Sequence, residues 1–182
     1  DAVNKPKAYA SPITVNHTEA FNIVEPVVTL DSAQALGNLA TRAINFVKDL
    51  VLKPSSEVYS FSNGSATTSE GEKTQLLLPK DKAFGITADA VASATMTDEN
   101  GMKHIKLTLK PEETHSLSEV PANHSNSIGY LDIAGSFNIL QIDEITIKYP
   151  GSTIDAFIRE DGYVASATYV INLEAYAKAH GM

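Results

Sequence analysis

The chain has 182 residues, 43% of them apolar, with a formal net charge of −8 and a pI near 5.0. That length supports one sizeable hydrophobic core and is short for two, and the fourteen scattered Lys and Arg exclude the continuous basic surface that nucleic acid or an anionic lipid face requires. The absence of cysteine excludes disulfides, thiolate zinc sites and cysteine nucleophiles together.

The opening residues, "DAVNKPKAYASPITVNHTE", are polar and contain proline, as expected of a linker left behind an export signal or anchor, or of an internal domain boundary. Residues 1–30 therefore read as a lead, partly packed through "FNIVEPVVTL", and residues 31–182 as a single domain. No run of about 18 apolar residues exists, so no transmembrane segment is expected.

The strongest periodic segment is "DSAQALGNLATRAINFVKDLVL", Asp31–Leu52. Leu36, Leu39, Ala40, Ala43, Ile44, Val47, Leu50 and Val51 recur at three and four residues and share one face of a helix, with Asp31 as N-cap and Lys53-Pro54 as the stop. "EVYSFS" is a strand followed by the polar turn "NGSATTSEGEK", and "TQLLLP" is a short buried strand or core loop. "TADAV" begins with Thr87 as a cap and Asp89 in the first turn, which predicts one helical turn.

Three hairpin signals follow, at Asn100-Gly101, Pro150-Gly151 and Asp161-Gly162, so the last three strands are expected to form an antiparallel meander. Two-residue alternation sorts the faces. Ile105, Leu107 and Leu109 lie on one side; Ile145, Ile147 and Tyr149 repeat the pattern, as do Ile154, Ala156 and Ile158. In the last strand Tyr163, Ala165, Ala167, Tyr169, Ile171 and Leu173 share a face. The expected fold is α+β: a single antiparallel sheet of about five or six strands packed on the Asp31–Leu52 helix. Small side chains at Ala156 and Ala165 let the helix approach closely, or leave room for an apolar ligand beside Leu36, Ile44, Val47 and Tyr169.

The segments "LPKDKAFGITADAVASATMTDENGMKHIKLTLKPEE" and "ITIKYPGSTIDAFIREDGYVASATYVI" resemble uncharacterised extracytoplasmic proteins of clostridia and their relatives, over Leu78 to Ile171 with a gap at the histidine-containing loop. The layout also looks like the lipoprotein-carrier (LolA-like) half barrels, in which a curved antiparallel sheet folds over helices. The resemblance implies an extracytoplasmic location, secreted or envelope-anchored, and a lipid or another envelope component as partner; it carries over no functional residues.

Chemistry is sparse. "PEETHSLSEVPANHSNS" offers Glu112, His115 and His124 as metal donors, with Glu112 and His115 at the i, i+3 spacing that serves metals on helices. It follows a proline, lacks an apolar stripe and has no second copy, so it reads as a solvated loop with no metal or other cofactor. His104 lies on the polar face of its strand and reads as solvent-facing. No G-x-S-x-G, H-E-x-x-H, S-x-x-K, G-x-G-x-x-G or phosphate-loop motif occurs. The expected function is a non-enzymatic extracytoplasmic binding or interaction module; the alternative is a structural or adhesive surface domain with a closed core.

Overall fold

The computed structural model describes residues 13–19, 55–62, 65–67, 73–74, 83–116, 118–130 and 140–181, with side chains described for 83–116, 118–130 and 143–178. Four strands form the first sheet: β1 (Ile13–Glu19), β2 (Ser55–Ser62), β3 (Ser65–Thr67) and β4 (Lys73–Thr74), paired in that order. β1 and β2 are antiparallel, from Ile13 opposite Phe61 to Glu19 opposite Ser55. A strand thus lies within the segment read as a lead.

A 3-10 turn at Ala88–Ala90 stands where the helical turn was expected, although Thr87 is extended and makes no side-chain cap. It leads into β5 (Val91–Glu99), β6 (Met102–Leu109) and β7 (Glu112–Thr114). After a single α-helical turn, α1 (Ala122–Ser125), come β8 (Leu140–Tyr149), β9 (Thr153–Ile158), β10 (Val164–Val170) and β11 (Glu174–Gly181). They form a four-stranded sheet, β10-β9-β6-β5, and a three-stranded sheet, β11-β8-β7.

The expected α+β fold with one sheet on a helix is therefore overturned. The described residues are mostly strand, divided among three antiparallel sheets, and only the four residues of α1 are α-helical. The segment Asp31–Leu52 lies outside the described residues, as does most of "TQLLLP".

The C-terminal meander is corrected too. β9 and β10 form the expected hairpin, but β8 pairs with β7 and β11, and β9 with β6 and β10. Pro150-Gly151 is thus a corner at which the chain passes from one sheet into the other. A proline fixes the first turn residue at negative φ, and the type II turn it favours with glycine splays the flanking strands instead of pairing them. Gly151 itself has φ +127°, a conformation essentially reserved for glycine, and a Cβ there would sit 3.4 Å from the Leu109 carbonyl oxygen.

The same passage occurs at Lys110-Pro111, between β6 and β7, and at Ile171–Leu173, between β10 and β11. Thr108 opposes Thr153 in one sheet and Glu112 opposes Tyr149 in the other, so the register of these strands runs on unbroken across the crease, whereas at the third corner it slips by one residue, Val170 opposing Thr153 and Glu174 opposing Lys148. Leu109 N–H donates to Ser152 O at 2.8 Å within it.

The core sits at the crease. Leu109, Ile128, Ile154 and Ala156 are buried together, with Phe84, Ile86, Leu107, Ile158, Ala167 and Tyr169 packed around them. On the other side Ile145, Ile147 and Tyr149 cluster with Tyr130 and Leu173. Each fully buried Leu or Ile contributes roughly 1.5–3 kcal/mol relative to exposure. Towards the far end of the sheet burial fades, and Met96 on β5 is 62% exposed.

Candidate functional site

The sequence-predicted loop is solvated only in part: Glu113, His115, Ser116 and Ser118–Val120 are exposed, but Thr114, Pro121, His124, Ser125 and Ser127 are buried, as is the adjoining Ile128. At its centre Glu112, on β7, reaches the start of α1. Its carboxylate accepts the backbone N–H groups of Asn123 (3.0 Å) and His124 (2.9 Å) and lies 2.6 Å from His124 Nδ1. Pro121 cannot cap α1 with a side chain, and Glu112 supplies that acceptor from a neighbouring strand.

His124 has no solvent-exposed surface, and its ring lies 4.7 Å from the Tyr149 ring. A carboxylate only accepts, so Nδ1 carries the proton to Glu112 and Nε2 is left to accept the hydroxyl of Ser152 at 2.9 Å. Ser152 is equally buried and stands at the β8–β9 corner. Its Oγ also accepts the N–H of Asn172 at 3.2 Å, while the Asn172 side-chain amide donates to the Gly151 carbonyl at 2.5 Å. A hydroxyl, an imidazole and a carboxylate are thereby aligned in the order of a nucleophile, its base and the group that orients the base. No substrate from solution can reach Oγ, because neither Ser152 nor His124 presents any surface.

Of the three metal candidates, the fold brings Glu112 and His124 together and leaves His115 outside. The His115 ring is 67% exposed and lies 3.5 Å from Glu113. Both ring nitrogens of His124 have protein partners, and no three His, Asp or Glu side chains converge on a point among the described residues.

The apolar-ligand candidates separate likewise. Leu36, Ile44 and Val47 lie outside the described residues. Ala156 is 6% exposed inside the core, and Tyr169 packs against the same cluster. Ala165 is exposed, because Val164 opposes Ile158 and Ser166 opposes Phe157. The intervening Ala165 is the extra residue of a β-bulge, and a bulge breaks the two-residue alternation that assigned it inward. The Tyr169 hydroxyl is buried without a hydrogen-bond partner, and burial pushes its pKa up to about 12.

A second cluster, read from sequence as a solvent-facing histidine, occupies the opposite face of the four-stranded sheet. The His104 ring is only 10% exposed and stacks on Phe157 at 4.1 Å. Nδ1 lies 2.8 Å from Glu99 and Nε2 2.7 Å from Asp155, whose other oxygen is 3.6 Å from Lys106. Hydrogen bonds that its ring donates to Glu99 and then to Asp155 raise the His104 pKa above its ordinary value against the opposing cost of burial. The same bonds lower those of Glu99 and Asp155. The signal was available: the Asn100-Gly101 hairpin sets Thr97 opposite His104 and places Glu99 on the adjoining diagonal. The two ring nitrogens face away from each other, so the carboxylates cannot converge on one cation.

Comparison of the chain with protein-family models, with curated proteins and with solved structures finds no match.

Proposed function

We propose that the chain is a non-enzymatic binding or interaction module of a cell envelope, acting outside the cytoplasm through strand-to-strand contact. The observation that carries this reading is β5. It runs for nine residues with β6 as its one hydrogen-bonded neighbour among the described residues, every residue after Val91 is exposed, and it carries no charge before Asp98. An edge that is uncharged from Val91 to Thr97 offers a row of backbone donors and acceptors, unpaired among the described residues, to an added strand. The acidic, cysteine-free composition is compatible with the location. Ala156 lies in a core packed by its neighbours, which favours interaction over carriage of an apolar ligand.

Native mass spectrometry of protein purified from cells, with denaturing conditions as control, tests the reading. The expected result is the bare chain or the chain with a macromolecular partner that Ala94→Pro, which removes an N–H on the side of β5 facing away from β6, abolishes. A small apolar mass lost on denaturation would replace this reading with a carrier.

A further inference from the structure

The Gly151–Ser152 peptide lies among groups that do more than support a corner. Ser152 Oγ is bonded to the Nε2 of a histidine whose Nδ1 is held by Glu112. The carbonyl oxygen of the residue before it, Gly151, receives the Asn172 amide at 2.5 Å. On the far side, Leu109 N–H holds the Ser152 carbonyl at 2.8 Å. A nucleophile, a base and an oriented donor on the carbonyl oxygen therefore surround one peptide bond, and that bond belongs to the chain itself. Complete burial, which bars an external substrate, does not bar this one.

We propose that the chain processes itself at Gly151–Ser152 by an N-to-O acyl shift followed by hydrolysis. Ser152 Oγ gives its proton to His124 Nε2 and bonds to the Gly151 carbonyl carbon, closing a five-membered ring through Cβ, Cα and N. The displaced carbonyl electron pair collects on the Gly151 oxygen, against the Asn172 amide. The C–N bond then breaks and the imidazolium proton passes to the departing nitrogen. Ser152 is left with a free amine and a side chain esterified to Gly151. One water adds to the ester, giving a Gly151 carboxylate and restoring the Ser152 hydroxyl; no oxidant, reductant or cofactor enters. Gly151 is partly exposed and Asn172 exposed, so water reaches the ester carbonyl. The reaction occurs once per chain and goes beyond the interaction role, since it turns over no substrate.

The full chain, incubated at neutral pH, is followed by denaturing mass spectrometry and by circular dichroism. The expected products are residues 1–151 and 152–182, remaining one particle under native conditions because β9 stays paired with β6 and β11 with β8. Hydroxylamine, which attacks esters, accelerates their appearance. Ser152→Ala abolishes cleavage, Ser152→Thr retains it, and Asn172→Ala slows it by about 10²–10³-fold, the usual loss for one oxyanion donor. A folded wild-type chain that keeps its intact mass through hydroxylamine treatment overturns the proposal. So does cleavage that persists in Ser152→Ala or falls at another bond.

Discussion

Replacing Glu112 with alanine tests whether the crease is held by its polar centre. The substitution removes one carboxylate and strands three donors at once: the backbone N–H groups of Asn123 and His124, and Nδ1 of a ring with no solvent exposure. A hydrogen bond to a charged group contributes about 1.5–3 kcal/mol and loss of a helix cap about 1 kcal/mol, so with partial overlap the expected cost is about 4 kcal/mol. At about 2–4 °C per kcal/mol for a domain of this size, Tm falls by roughly 10 °C. The adjacent Glu113 supplies the control, since it is 43% exposed and reaches Lys148 only at 3.9 Å. Glu113→Ala is expected to cost under about 0.5 kcal/mol. Urea denaturation followed by far-ultraviolet circular dichroism measures both variants. Equal midpoints would refute the reasoning and show that apolar packing alone holds the crease.

The His104 cluster predicts a pH dependence with a definite sign. His104 has a raised folded pKa, so its contribution is fully present below its unfolded value of 6.5 and is lost as pH rises through the folded value. Glu99 and Asp155 have lowered folded values, so theirs is present above 4.5 and 3.8 and is lost as pH falls through the folded values. The Tm difference between wild type and His104→Asn is therefore widest between pH 4.5 and 6.5; a difference that grows into alkaline solution would contradict the assignment. Tyr169→Phe removes a buried hydroxyl that has no partner, and is expected to leave stability unchanged or raise it by about 1 kcal/mol. A loss of more than about 1 kcal/mol in urea titration would show that the hydroxyl is bonded in solution.

Local conformation was the most legible part of the sequence. Asn100 and Gly101 adopt positive φ and form the expected hairpin, and alternation identified Leu109, Ile154 and Ala156 as core. The errors arose where a local signal depends on a distant partner. Pro150-Gly151 announces a change of direction but not which strand lies alongside it afterwards. A single extra residue at Ala165 moved that side chain outward with no distinctive residue type to mark it. The histidine loop looked solvated because its polar groups find partners far along the chain: His124 meets Glu112 12 residues before it and Ser152 28 residues after it. Periodicity reports the burial of apolar side chains and has no counterpart for polar groups that are buried because they are bonded.

The register that runs on from β6–β9 into β7–β8 bears on how the molecule can be divided. Domain boundaries fall where few chain segments cross. Here no line between the four-stranded and three-stranded sheets avoids severing the backbone at three corners: Lys110-Pro111, Pro150–Ser152 and Ile171–Leu173. Neither sheet is a separable module, and neither survives excision with its ladders intact. The same triple linkage gives covalent redundancy, since breaking the chain at one corner leaves the other two still carrying it from sheet to sheet.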